Sequence, residues 1–520
     1  MGTAAVSPPR KMNLAEQIRK LNAIGIALSS EHNLNKLLDM IVTEARNFTH
    51  ADGGSLYIKE NNRLHFRVAQ TASLQKRDRK IPFTSFYLPL SKESIAGYVA
   101  ATGQVLNIPD VYEIPPTVEY RVNKRFDQQN NYRSQSMLVV PMRDHQDEII
   151  GVLQLINSLN SRGEVVPFEA EYESIILSLA SQAAVALRNV SLIEEIRNLF
   201  RSLVRYSATA IDARSPHTAG HSGRVAKYCV RMAKAINDET EGRLGQIQFS
   251  AEEIEELRMA GWLHDIGKIG VRESVLEKTT KLTDDQLDAI AERFEGIKRG
   301  LQNKLLEKKL QLLTNGAADP SMLKKLECAT TTEVAALADA LAFLQRINTP
   351  GFLSEEDRSR LKNTAEKSYL NSRGERCFYL TAKEYENLSV VRGNLTEPEY
   401  KEIQSHVDHT LNILKKIPFT RDLQNVTQHA AGHHEYLNGS GYPLGLKGDE
   451  ITIQSRIMCI ADIFDALSSP DRPYKKAIPI ERTLEILGEE VRAGKLDGDL
   501  VELFIRKRLY QRPALDEEED

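Results

Sequence analysis

The sequence predicts an α+β N-terminal unit, a long helical linker and an all-α C-terminal bundle carrying a helical insertion. Three observations predict that order. Helix-spaced apolar residues give way to β-rich runs and then return within the first 170 residues. Residues 171–212 contain neither Pro nor Gly. Eight of the twelve histidines lie at or beyond residue 217, on segments with helical spacing and carboxylates beside them. The expected boundaries are a disordered leader at 1–14, the α+β domain at 15–170, the linker at 171–212, the bundle at 213–510 with its insertion at about 290–392, and an acidic tail at 511–520.

Composition narrows the function. A chain of 520 residues, 41% hydrophobic and 27% charged, suits two or three globular domains. A net charge of −4 gives no bulk attraction to DNA or to an anionic membrane. No run approaches about 20 apolar residues, so no membrane span is expected. The leader has no apolar segment of the signal-peptide kind. Four scattered cysteines without a CxxC pair read as reduced thiols, which implies a cytoplasmic protein.

Residues 13–30 read as an amphipathic helix. Leu34–Phe48 reads as a second, with Leu37, Leu38, Ile41 and Ala45 on one face. Strand-like runs follow at Gly54–Lys59, Leu64–Ala69, Met137–Met142 and Ile149–Ile156. The last two flank the polar turn RDHQDE, a hairpin signal. A helix from Phe168 closes the unit. The segments ADGGSLYI, SIAGYVAATGQVLNIPDVY and SMLVVPMRDHQDEIIGVLQLIN resemble a GAF domain, over about residues 15–190. The resemblance implies a sensory module for a small ligand. Some cyclic-nucleotide-binding members carry an Asn-Lys…Phe…Asp-Glu signature. Asn157, Phe168 and Glu173 match it, whereas Ser158 and Tyr172 stand where Lys and Asp belong. A ligand sensor and a ligandless dimerisation module both remain open.

Along the linker, Leu179, Ala183, Ala186, Val190, Ile193 and Phe200 recur at threes and fours. Leu192, Ile196, Leu199 and Leu203 form a second stripe. So broad an apolar face suggests a parallel coiled coil in a homodimer. The alternative is that the face packs on its own domains.

The C-terminal half gathers metal-ligand residue types. His217 and His221 are four apart, on one face if their helix extends back that far. His264 and Asp265 close an amphipathic helix that begins near Ala251. An adjacent His-Asp pair sets imidazole beside carboxylate, so two ions can share it. His406 follows LTEPEYKEIQ, where Thr396 and Glu399 make a capping box. His433-His434-Glu435 ends another helix, and Asp462 and Asp465 share a helical face. Helices that each aim one or two ligands inward build a multinuclear centre. Imidazole with two carboxylates suits Fe(II), Mn(II), Ni(II) or Zn(II).

HxxR at His221–Arg224, HDxGK at His264–Lys268, His406, HHE at His433–Glu435, GYP at Gly441–Pro443, and ADxFDAL at Ala461–Leu467 followed by RPY at Arg472–Tyr474 together resemble an HD-GYP domain. The likeness covers about residues 202–285 and 392–510. It implies a phosphodiesterase that opens cyclic di-GMP to pGpG, or onward to GMP. His221, His264, Asp265 and Asp462 would hold one metal. Asp265 would bridge to a second, held by His406, His433 and His434. His217 stands where some relatives place a carboxylate ligand for a third; its other reading is a surface imidazole in a first helical turn. The resemblance favours iron or manganese. Lys268 would reach a phosphate oxygen, Arg472 and Lys475 the other phosphate and a guanine, and Tyr442 the substrate side of a Gly-rich loop. Two other functions stay open: hydrolysis of a different cyclic dinucleotide such as cyclic GMP-AMP, and a catalytically inactive dinucleotide receptor.

Two departures from the pattern stand out. Tyr436 and Asn438 occupy positions where the family often has Arg and Asp. His264 and His406 are 142 positions apart, where most such domains need a few tens. KLTDDQLDAI at 281–290 and NLTEPEYKEIQSH at 394–406 read as two starts of one connector. Between them, ERFEGIKRGLQNKLLEKKLQLL, TEVAALADALAFLQRIN and SEEDRSRLKNTAEKSYL read as charged helices. A lid, a dimer arm, a docking surface and plain decoration are all consistent with this insertion.

Overall fold

A computed structural model describes residues 13–75, 85–213, 220–316, 319–469 and 478–511. Most of the leader (1–12) and of the acidic tail (512–520) lies outside them, as do His217, Arg472 and Lys475. The chain divides into two compact units, residues 1–200 and 201–520.

The first unit is α+β as expected. Helix α1 (Leu14–Ser30) begins at a capping box between Asn13 and Glu16, and α2 (Leu34–Thr49) begins at Asn33. Strands β1 (Ala51–Glu60), β2 (Arg63–Thr71), β3 (Tyr87–Pro89), β4 (Leu106–Ile108), β5 (Met137–Arg143), β6 (Ile149–Leu159) and β7 (Val165–Val166) make an antiparallel sheet. Its order is β3-β2-β1-β6-β5-β4, with β7 on β6. Side chains alternate across it as period two requires. Leu56, Leu138, Val140, Leu153 and Leu155 join the core under the helices, while Tyr57, Met137, Val139 and Val152 fill the opposite face.

The long helix Glu171–Asp212 begins in this unit and runs on into the second, and it starts three residues later than expected. Its two stripes have different fates. Of the first, Leu179, Ala183, Ala186 and Val190 are buried in the N-terminal core, whereas Ile193 further along is 43% exposed. Of the second, Leu192 is half-buried, Ile196, Leu199 and Leu203 are 64%, 61% and 57% exposed, and Tyr206 beyond them is 71% exposed. Among the described residues this helix alone is long and apolar enough to cross a membrane by length and composition, and 44% of its apolar window is buried.

The second unit is helical. The helices His221–Asn237, Ala251–Leu263 and Ile453–Ser468 bury Val225, Cys229, Met232, Leu257, Ala260, Ile457 and Ile460. Phe464 anchors an aromatic cluster, with ring centres 5.4 Å from Tyr228 and 5.1 Å from Phe504.

The insertion is more than a helical hairpin. The capping box of Thr283 and Gln286 starts one helix, Asp284–Thr314, which runs from the connector into the insertion and packs on Pro320–Ile347. The third expected helix ends at Glu366, because Ser368–Leu370 pairs with Arg376–Phe378 as a small hairpin. Gly351–Phe352 pairs with Arg392–Gly393. Phe294, Phe343, Leu344, Leu353, Leu361 and Leu388 belong to a separate core, so the insertion is a small folded body.

Candidate metal centre

Each ligand-type residue sits where a helix begins or ends, or on an inward face. The helix Ala251–Leu263 starts at the capping box of Ser250 and Glu253 and delivers His264 at its C-cap. A 3-10 turn, Ile266–Gly270, follows Asp265. Gly267 is required there, because a Cβ would collide with the His406 carbonyl and with Thr410. Thr410 Oγ accepts from Gly267 N–H at 3.0 Å and donates to the His264 carbonyl at 2.9 Å, locking the two segments together. The expected capping box at Thr396 is present, but its helix stops at Gln404 and a new one begins at His406. His433 and His434 lie in the turn just beyond Val426–Ala431, and Asp462 lies inside Ile453–Ser468.

These residues converge. His221 Nε2 is 3.1 Å from Asp462 and 3.6 Å from Asp265 Oδ2, which is also 3.3 Å from His264 Nε2. The other Asp265 oxygen is 3.4 Å from His406 Nε2. His434 Nδ1 is 3.9 Å from Asp462. Three groups bring candidate ligand atoms within 4.8 Å of one another: His221 with His264 and Asp462, His264 with Asp265 and His433, and His406 with His433 and His434.

The imidazoles are prepared as ligands. His264, His406 and His433 each donate Nδ1–H to the carbonyl three residues earlier, at 2.8, 2.6 and 2.6 Å. A carbonyl only accepts, so each ring is fixed with its Nε2 lone pair turned inward. Those three buried Nε2 atoms have no hydrogen-bond partner. Buried polar atoms seldom lack one, and a divalent cation answers the need of all three. Burial also keeps the second group neutral. It holds His433 well below the usual histidine value and His434 down at about 4, and it lowers His406.

The carboxylates supply the charge. Burial pushes Asp265 upward, but Lys268, 2.6 Å away, and His264 hold it well below the usual range. Asp265 in turn keeps Lys268 protonated against its own burial. Burial opposes charge on His221, yet its bonds to Asp462 and Asp465 raise it to about 9. The pull that draws a proton to His221 would draw a cation in its place.

Several further residues hold the ligands in place. Asp465 accepts from His221 Nδ1 at 2.7 Å and from Arg224 at 2.7 and 3.0 Å, fixing the ring. Glu435 accepts from the N–H groups of Leu444 and Leu446 and folds the Gly-rich loop back. Gly441 lets that loop pass against the His434 carbonyl, and the Tyr442 ring lies 4.7 Å from the His434 ring. Glu256 lies 3.5 Å from His429 Nε2 and accepts from Asn425, tying the His264 helix to the His433 helix.

Burial pushes Glu256 up, but His429 and Asn425 bring it below its usual value. A depressed carboxylate adds stability above its unfolded pKa of about 4.3, and that stability is lost as pH falls through the folded value. Glu256→Gln is therefore expected to cost about 1–3 kcal/mol at pH 7, and less on acidification below about pH 4. Thermal melts at both pH values check this; an equal loss at the two would contradict it.

In the first unit, the Asn157 side chain accepts from Gln135 N–H and donates to Tyr132 and to the Arg133 carbonyl, while Glu173 accepts from Asn107. The two signature positions thus have separate partners.

Comparison with known proteins agrees with this layout. The GAF domain family matches residues 33–187, and the HD domain families match 218–344 and 383–500, with part of the insertion between. Over 100 residues, or 19% of the chain, it is 45% identical to 3'3'-cGAMP-specific phosphodiesterase 3 of Vibrio cholerae. Over 130 residues, or 23% of the chain, it is 33% identical to a probable cyclic di-GMP phosphodiesterase of the same organism. The matches span 21% and 28% of those proteins' own lengths. The GAF domain of an Acinetobacter phosphoenolpyruvate-protein phosphotransferase aligns over 35% of this chain and 99% of its own, with 19% identity and a TM-score of 0.27.

Proposed function

We propose that this chain, which belongs to the proteins that join a GAF domain to HD domains, is a metal-dependent phosphodiesterase of cyclic dinucleotides. One observation carries the reading: three fixed, unpartnered imidazole Nε2 atoms face two charged carboxylates in one buried centre. In this reading His221, His264, Asp265 and Asp462 hold one divalent ion. His406, His433 and His434 hold a second, with Asp265 shared. His217 is the candidate for a third. The donor set fits iron or manganese, and equally nickel or zinc. Bound metal supplies Lewis acidity and a water acidic enough to attack phosphorus near neutral pH.

The residues around the centre do the rest. Protonated Lys268 sits beside Asp265, where its ammonium can neutralise a non-bridging phosphate oxygen as charge builds. Tyr442, its ring 4.7 Å from that of His434, walls the substrate side. Arg472 and Lys475 are assigned the second phosphate and a base. Lys268→Ala is expected to lower turnover by about 100-fold with the metal count unchanged. Lost metal would contradict the phosphate-binding role.

Cyclic di-GMP is the proposed substrate, opened to pGpG or onward to GMP. A second reading, 3'3'-cGAMP, is favoured by the name of the 45%-identical relative. Parallel assays on the two dinucleotides, with the linear product identified by mass, test the choice. Faster turnover of cyclic di-GMP supports the first reading, and faster turnover of cGAMP supports the second.

The open stripe at Ile196, Leu199, Leu203 and Tyr206 supports a homodimer through the linker helix. Its 3-4-3 spacing is that of a coiled-coil seam, which a second copy in parallel register completes. The GAF domain is assigned an unidentified small ligand. None of the four cysteines falls within residues 33–187, so a thiol-based redox signal has no residue there.

A further inference from the structure

We propose that Asp212, the last residue of the long helix, is a positioning residue for the metal centre, acting through the helix that begins with His221. The inference rests on the metal reading above. A helix leaves its first N–H groups without intrahelical partners, and a side-chain oxygen just before it normally serves them. The N-cap of the helix His221–Asn237 is Gly220, at φ 67°, with no side chain to offer. Asp212 serves instead from another helix. Its carboxylate accepts Ser222 N–H at 3.1 Å and Ser222 Oγ–H at 2.9 Å, and both residues are 2% exposed. A negative group at this end also meets the favourable end of the helix dipole. The residue before Ser222 is His221, so the cap fixes the first turn that carries a ligand. Asp465 orients the ring of His221, and Asp212 holds its backbone. The long helix thereby ends in a direct grip on the centre, which a shift of that helix must disturb.

A cap that served only stability would lower the melting temperature and leave metal affinity alone. The test is Mn(II) titration of the full-length metal-free chain by calorimetry. The two sites are told apart with His406→Ala, which empties the second. Asp212→Ala is expected to weaken the His221 site about 10- to 100-fold, the usual loss when an outer partner of a ligand is removed, and to leave the other site unchanged. Asp212→Asn keeps an oxygen for Ser222 N–H and an amide that donates to Ser222 Oγ. It is expected to recover affinity to within a few-fold of the original. Wild-type affinity at both sites in Asp212→Ala, or equal weakening of both sites, would overturn the proposal. Should Asp212→Ala fail to fold, Ser222→Ala removes the hydroxyl bond alone. A first site unmoved in that variant would count against the proposal in the same way. Absence of Mn(II) binding by the unaltered chain would instead defeat the metal reading itself.

Discussion

Asp265→Ala and His264→Ala are each expected to lower turnover by at least about a thousandfold, the rate equivalent of the several kcal/mol that metal ions supply, and to release metal. The geometry explains why these two losses should be large. One Asp265 oxygen faces His406 and the other faces His221 and His264, so its loss opens both sites at once. His264 belongs to two of the three ligand groups, as His433 also does. Removing Asp265 also strips Lys268 of its partner and leaves a cation among the imidazoles. Elemental analysis beside a turnover assay checks both effects. Full activity in both variants would sink the site assignment, whereas Lys268→Ala should separate chemistry from metal retention.

The second large effect concerns assembly. Leu199→Asp combined with Leu203→Asp is expected to convert a dimer into a monomer. Each leucine contributes about 1.5–3 kcal/mol when buried, and a symmetric seam buries four. Even the lower figure, about 6 kcal/mol, raises the dissociation constant by about 10⁴, and apposed carboxylates add repulsion. Both leucines are exposed on the single chain, so its own fold should survive. Sedimentation of the two proteins at micromolar concentration is the check, and a monomeric parent chain would contradict the seam.

The elements written in local pattern were legible. The β-rich runs Met137–Met142 and Ile149–Ile156 around a polar turn announced two strands, the Leu37–Ala45 stripe announced α2, and the absence of Pro and Gly delimited the long helix. A capping box marked the start near 396. His221, His264, Asp265, His406, His433, His434 and Asp462 were all named from motifs, and the structure brings them together. Less was legible where the outcome depends on distant partners. Two stripes share one spacing on the long helix, and only tertiary packing decides which is covered. The helix expected to carry His406 breaks at Ser405, where its successor meets the HD turn through Thr410. Asp465 reaches His221 across 244 positions, so its role had no local signal. The insertion's small sheets depend on a core assembled from the insertion's own scattered residues.

The most direct test of the central claim is one experiment on protein purified without oxygen: metal content and hydrolysis of cyclic di-GMP and 3'3'-cGAMP measured in the same sample, before and after chelation. The account predicts two or three metal ions per chain, linear product from at least one of the two substrates, and loss of that activity with the metal. A full metal complement with neither dinucleotide opened would contradict it.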